Sequence, residues 1–504
     1  NKSQIFCGII SIIRGPARIA LLVKILGFLK EAGLAAAFGA SAETDAYLVA
    51  FSIPNIIFMM LGAPLSTTFI PIFMDCLIHK GKRKAFEFVS TLHGLIFICA
   101  CVLIIFGWFF TPLLVKMMAP GFSKITTVLA IKLTRVLLPI IYFMALSLVM
   151  TGILQTANSY IVPALSNLLN YLILFIFIIL FAHYGIVMIT AGTLLGYLGQ
   201  LVFQIPLARK MGFAFKITFD LNNPELKKML PLIYPVVIVN GVQEINIVVD
   251  KMFASMLKEG SIAVINFANK INGFVLGIFA VSLSTVLLPA LSRFAAEKNQ
   301  ECFQEQLKEA VKLVLIIILP AVISLINFRE PIVKLLLERG KFQAGDSIIT
   351  AWVLLFYASG MLFMGFNLIL SRAFFALKDS YTLMKIVVSG ILTNVILNLV
   401  LIKYMGAGGL ALATSISSFV LFILMFSLLR KKMGKLFLHA DLISFIKVML
   451  LNIFFMIFLF LCRQYLPSGN DISLLIIIFF SGILYLVLVQ LLKLYDLRKL
   501  YLNF

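Results

Sequence analysis

About fourteen apolar runs, each some twenty residues long, follow one another from end to end of this chain, and that is the length a helix needs to cross a bilayer. Their centres fall near residues 22, 60, 102, 140, 172, 196, 241, 278, 316, 360, 392, 420, 453 and 482. No long hydrophilic stretch separates them. Of the 504 residues, 62% are hydrophobic and 12% charged, with a mean hydropathy of +1.09, which excludes a soluble fold. The expected class is an all-α polytopic membrane protein of about fourteen transmembrane helices.

The net charge of +21 has a topological reading. Basic clusters occupy alternate connections: Lys80, Lys82, Arg83 and Lys84; Arg209, Lys210, Lys216, Lys227 and Lys228; Arg430, Lys431, Lys432 and Lys435; Lys493, Arg498 and Lys499. The positive-inside rule makes these loops cytoplasmic. The opposite connections, such as GASAETD (39–45), AHYG (182–185) and PSGND (467–471), are short and poor in Lys and Arg. Both termini are therefore expected inside, and the positive charge is no evidence for nucleic acid. The opening NKSQIFCGIISIIRGPARIA lacks an A-x-A-like cleavage site, so the first helix is expected to be retained. Six scattered cysteines form no framework and read as small buried hydrophobes.

Two pairs of strings reveal an internal duplication. LSTTFIP (65–71) returns as LSTVLLP (283–289), and PLLVKMMAPGF (112–122) returns as PIVKLLLERGKF (331–342), at nearly one offset of 218 and 219 residues. A unit of that length holds six helices, and an even number restores the starting side. The copies are expected to be parallel six-helix lobes, 1–215 and 216–436, with 437–504 as an added helix pair. Two such lobes across a midplane cavity form an architecture that alternating-access transporters use.

Polar residues inside spans are costly in lipid, so they mark either a path or interhelical glue. In TDAYLVAFSIPN (44–55) and beyond, Asp45, Ser52, Asn55, Gly62 and Ser66 keep the spacing of one helical stripe, expected to line a water-filled cavity. The first helix carries Arg14, Arg18, Lys24, Lys30 and Glu31 around Gly15-Pro16, Gly27 and Gly33, which predict a bend. Lys24 and Glu31, seven apart, share a face, and Lys30 points elsewhere. Arg14 and Arg18 are also placed to snorkel to headgroups. A second stripe joins Asn266, Lys270, Gly273 and Gly277. Lys270 reads as a phosphate or carboxylate ligand, with a static ion pair to Asp250 or Glu244 as the alternative; Lys251 is another cation within a span.

Gln243, Asn246 and Asp250 share a face, while Asn394 and Asn398 stand four apart near Thr414. Asp250, Asn394, Asn398 and Thr414 supply hard oxygens suited to sodium, and interhelical hydrogen bonding is the alternative. There is no GxxxxGK[ST], HExxH or GxSxG motif, and four dispersed histidines have no ligand spacing. An ATP-driven pump or zinc hydrolase is not expected.

KILGFLKEAGLAAAFGASAETDAYLVAFSIPN (24–55), MMAPGF (117–122), NFANKINGF with SLSTVLLPALSR (266–293) and RGKF (339–342) resemble the MurJ (MviN) lipid II flippase family. That family belongs to the multidrug/oligosaccharidyl-lipid/polysaccharide exporter superfamily. The resemblance extends over essentially the whole chain, and 24–55 is its most specific part. The family has arginines where Lys24, Lys30 and Lys270 stand and an Asp at Glu31 and Asp45, so charge is kept while bidentate geometry is lost. Phe58 and Met59 replace an Arg pair that many members carry.

The resemblance implies a non-enzymatic flippase of the bacterial cytoplasmic (inner) membrane. It would move undecaprenyl-pyrophosphate-linked peptidoglycan precursor outward by alternating access. Substrate-binding residues on this reading are Lys24, Lys30, Glu31, Asp45, Asn55 and Lys270; the pyrophosphate would meet Lys24 and Lys270, and the prenyl tail a groove along the last two helices. Membrane lipids and the cell-wall synthesis machinery are the implied surroundings. No cofactor is expected other than sodium. The alternatives are an exporter of another polyprenyl-linked glycan or of cationic drugs, a glycosyltransferase, for which the outer loops are too short, and a non-transporting scaffold.

Overall fold

A computed structural model describes residues 16–214, 216, 218–220, 222–434, 439–464, 471–492 and 494. The chain folds into α-helices: α1 (Pro16–Phe38), α2 (Ala42–Met118), α3 (Lys124–Leu137), α4 (Ile140–Thr156), α5 (Ile161–Phe181), α6 (Ile186–Met211), α7 (Pro224–Ser255), α8 (Ser261–Ala296), α9 (Gln300–Asn327), α10 (Arg329–Leu337), α11 (Ala344–Ala376), α12 (Ser380–Met405), α13 (Ala407–Met433), α14 (His439–Gln464) and α15 (Asp471–Leu491). The centre of every apolar run falls within a helix. Ten helical stretches among the described residues are long and apolar enough to span a bilayer, and two shorter apolar helices accompany them.

Helix boundaries follow local chemistry. Ser41 caps α2 by accepting the Thr44 N–H at 3.4 Å, and Ser123 caps α3 through Thr126 at 3.2 Å. Asn223 receives the N–H groups of Glu225 and Leu226 at the start of α7, with Pro224 next, where a missing N–H costs nothing. The runs near 60 and 102 are two arms of α2. They meet at Gly81, whose φ of +82° breaks the helix and turns the chain back.

Two compact units divide the described residues, one Arg18–Ala263 and the other Val264 onward together with Pro16 and Ala17. They are bodies of contact rather than copies of the repeat: α7 packs along α2 and so falls in the first unit. The repeat boundaries at 215 and 436 remain an expectation from the sequence.

In the first unit, the arms of α2 pack with α4 and α6 around Phe69, Phe73, Phe88, Leu92, Met150 and Leu201. The Phe69 and Phe73 rings stack at 5.4 Å, and a Cβ at Gly152 would lie 2.8 Å from the Phe69 ring. With lipid as apolar as the core, such close packing supplies the attraction that water supplies elsewhere. In the second unit α11 packs on α9 and α13, and α13 on α12. There Asn452 Nδ2 donates to Tyr485 Oη at 3.0 Å and joins α14 to α15.

Near the Gly81 turn, Lys80 donates to Glu225, and Lys228 lies 3.2 Å from the other carboxylate oxygen. The Lys80 hydrogen bond, helped by Lys228, holds the Glu225 carboxyl below the ordinary value of 4.5 although burial opposes this. A depressed folded value means that the stabilisation is complete above 4.5 and disappears as pH falls through that lower value. Melting of purified protein should therefore separate the unmutated chain from Glu225→Gln at neutral pH. The two curves should converge in acid; a constant gap at every pH would exclude the ionic contribution.

Candidate functional site

The stripe on α2 divides into two environments. Asp45 is 2% exposed, and its two oxygens accept backbone N–H groups from Gly260 and Ala263, each at 2.7 Å. Asp45 thus caps the turn entering α8 and does not line a water-filled path, contrary to the expectation from periodicity. Ser52 is also buried, donating to Leu48 O at 2.7 Å and accepting from Lys251. Asn55 and Ser66 are half-buried. Gly62 borders an apolar pocket of 230 Å³ with Phe58, Leu95, Ile96 and Cys99, so this part of the stripe meets hydrocarbon rather than water.

On α1, Lys24 is half-buried. Lys30 Nζ stands 3.3 Å from Glu31 and 5.4 Å from the centre of the Tyr171 ring. The sequence aligned Glu31 with Lys24 and directed Lys30 elsewhere; in the fold the long Lys30 side chain reaches its neighbour Glu31. The pair neutralises itself inside the first unit, an arrangement that a buried ammonium needs. Tyr47 Oη and Thr193 Oγ1 share a hydrogen bond of 2.9 Å, and Phe51 stacks on Tyr197 at 6.3 Å. Arg14 lies outside the described residues; Arg18 and Gln243 are placed only as positions on α1 and α7.

In the second unit, Lys270 is exposed on α8. Gly273, one turn on, is exposed too, and a Cβ there would meet nothing within 4 Å. Asn272, on the other side of the helix, is buried with its amide 3.7 Å from Met364 Sδ. Within the predicted stripe Lys270 and Gly273 are exposed while Asn266 and Gly277 are half-buried, so α8 is open at the ammonium. Such a face can receive an anion without displacing a packed side chain.

The amide group is assembled differently from a bare ligand shell. Asn398 Nδ2 donates to Asn394 Oδ1 at 3.0 Å, Asn394 Nδ2 to Thr414 Oγ1 at 3.3 Å, and Thr414 to Leu410 O at 3.0 Å. Asn394 and Asn398 are 1% and 0% exposed, so the three side chains bind α12 to α13. Asp250 is half-buried on α7, in the first unit.

An aromatic groove was missed from the sequence. Phe363 and Phe366 of α11, Phe422 and Phe426 of α13 and Phe445 of α14 border a cavity of 470 Å³, with Lys308 among its lining. The signal was present as Phe at i, i+3 and i, i+4, which in so apolar a chain looks like ordinary packing. Phe422 stacks on Phe366 at 5.1 Å and on Phe426 at 5.8 Å, producing a continuous ring-lined wall. This shape and chemistry suit a hydrocarbon chain.

Comparison with known proteins places these features in a family. The family model described as Lipid II flippase MurJ matches residues 34–481. A probable lipid II flippase MurJ of Buchnera aphidicola subsp. Acyrthosiphon pisum (strain APS) is 29% identical over 498 residues, covering 96% of this chain and 98% of the relative. Another from Buchnera aphidicola subsp. Baizongia pistaciae (strain Bp) is 31% identical over 414 residues, 81% of each chain. The solved structure of a lipid II flippase MurJ in an inward closed conformation superposes with a TM-score of 0.82 at 27% identity, covering 96% of this chain and 99% of that one. An inward-facing multidrug resistance MATE family transporter of the MOP superfamily gives 0.70 at 17% identity, covering 85% of this chain and 98% of that one, a likeness of fold alone. The chain belongs to the lipid II flippase MurJ family.

Proposed function

We propose that this protein is a flippase that carries lipid II, the lipid-linked peptidoglycan precursor, from the inner to the outer leaflet of the bacterial cytoplasmic membrane by alternating access. No covalent bond changes, and the protein is not an enzyme. The observation that carries the reading is the open face of α8, an exposed Lys270 beside unobstructed Gly273 in a helix apolar enough to span a bilayer. An ammonium within a span costs about 2.5–3.5 kcal/mol on insertion scales, and a pyrophosphate offsets that cost. Lys24 is the cation of the first unit assigned to the same substrate. The prenyl tail is assigned to the aromatic groove bordered by Phe363, Phe366, Phe422 and Phe445.

The basic connections support a topology with both termini in the cytoplasm. With the inside negative, moving one charge across 100 mV is worth about 2.3 kcal/mol, so cationic side chains that have released the pyrophosphate favour return to the inward state. The working surroundings are membrane lipids and the machinery that polymerises the delivered precursor. Complementation of a conditional MurJ-depletion strain tests the assignment: growth supports lipid II as substrate, and no growth with normal membrane insertion favours another polyprenyl-linked glycan.

Sodium is proposed as a coupling ion, with the Asp250 carboxylate of α7 as its hard-oxygen ligand, since Asn394, Asn398 and Thr414 are engaged with one another between α12 and α13. Binding to the native state alone raises stability by RT ln(1 + [L]/Kd). The purified protein should melt higher in sodium than in potassium at equal ionic strength, and Asp250→Asn should narrow that gap. Coincident melting curves in the two salts would leave the membrane potential as the drive.

A further inference from the structure

Lys251 is an in-span cation that the transport reading leaves unassigned, and it is bound to two groups on a different helix. Its Nζ donates to Leu48 O at 2.9 Å and to Ser52 Oγ. Ser52 in turn donates to Leu48 O at 2.7 Å, so its hydroxyl acts as acceptor toward the ammonium and donor toward the carbonyl. Ammonium, hydroxyl and carbonyl close a three-membered node between α7 and α2. Two residues beyond Ser52 stands Pro54, which has no N–H to offer the Ala50 carbonyl and so weakens α2 there.

The node does not stand alone. Four residues further along α7, Ser255 Oγ accepts the Gly121 N–H at 3.2 Å, and the following turn is held by Asp45. All three attachments lie at the end of the first unit opposite the Gly81 turn, because the arms of α2 begin and finish there. The other two use groups fixed by backbone geometry. Lys251 alone reaches its partners through a long, flexible stem, so it can hold α2 and also let it go.

We propose that Lys251 is a positioning residue: its ammonium pins the first turns of α2, which carry Asp45, Ser52 and Asn55, against α7. Its link to transport rests on the flippase reading above, whereas the contact itself does not. A methionine of similar length keeps the packing and loses every donor; an arginine keeps donors and charge.

The test is the reactivity of a thiol at a buried site that the pin protects. Leu48 is 7% exposed, and Leu48→Cys preserves the backbone carbonyl that Lys251 uses. Membrane vesicles opened by freeze–thaw are treated with a polar maleimide, with the chain bearing only its six native cysteines as the blank. Adding Lys251→Met to Leu48→Cys should raise labelling of the introduced thiol about tenfold through more frequent local opening, while adding Lys251→Arg should leave it within about twofold.

Unchanged labelling in Lys251→Met overturns the proposal, and so does labelling in Lys251→Arg as fast as in Lys251→Met, since stem packing would then be the whole effect. If Lys251→Met fails to reach the membrane, Ser52→Ala decides, because it removes one acceptor and spares the ammonium. A rise of about threefold supports the pin, and no rise overturns it. Labelling needs no lipid II, so this result and that of complementation can fail separately.

Discussion

Lys270→Ala is expected to abolish growth of a MurJ-depleted strain, and Lys270→Arg to sustain it. The reason is electrostatic. The Lys270 side chain stands exposed on α8, and the neighbouring Gly273 leaves open space where a larger residue would intrude. A phosphate brought to that face gains a charge-assisted hydrogen bond that a methyl group cannot provide. Arginine supplies the same charge with a broader fork, so it substitutes at some cost in geometry. Membrane levels of both variants must match the unmutated chain for the comparison to hold. Equal growth of the alanine variant would remove the substrate role and favour the static ion pair that the sequence left as the alternative.

Much of the fold was legible because a bilayer restricts the chain to one kind of backbone solution. Apolar length alone located the helices, since every unpaired N–H or C=O in lipid is expensive. The exposure of Lys270 was legible for a related reason: a regular helix keeps residues three apart on one face, and Gly273 beside the cation is exposed with it. The amide ladder of Asn394, Asn398 and Thr414 was legible as to place, and its hydrogen bonds join α12 to α13.

What periodicity could not show was which polar groups are consumed internally. The Asp45 carboxylate and its donors are 215 and 218 residues apart in sequence, so no local pattern announces the cap. Lys30 and Glu31 are adjacent and begin about 100° apart around α1, yet a four-carbon stem spans that angle. Gly62 kept the spacing of a polar stripe while its neighbours Phe58, Leu95 and Ile96 enclosed it in apolar surface. In each case the side chain's identity was readable and its partner was not.

Asp45→Ala should then cost stability rather than affinity, and by a large amount. Both carboxylate oxygens are bound at 2.7 Å to backbone N–H groups, and the residue is 2% exposed. A hydrogen bond contributes about 0.5–1.5 kcal/mol, and more to a charged acceptor, while a buried N–H left without a partner is penalised by about 1–3 kcal/mol. Partial relaxation of the turn recovers some of that, so a loss of about 3 kcal/mol is expected, at the upper end of single-residue effects. Asparagine rescues little, because one oxygen can still accept while the amide NH2 faces the second N–H, donor against donor. Ser41→Ala provides the scale, since it removes only the 3.4 Å cap of α2, for which about 0.5–1 kcal/mol is expected. Thermal melting in detergent, where no substrate is present, should rank the proteins unmutated, Ser41→Ala, Asp45→Asn and Asp45→Ala in falling order. An Asp45→Ala protein that melts with the unmutated one yet fails to support growth would return Asp45 to the substrate path and remove the cap from any role in holding the turn.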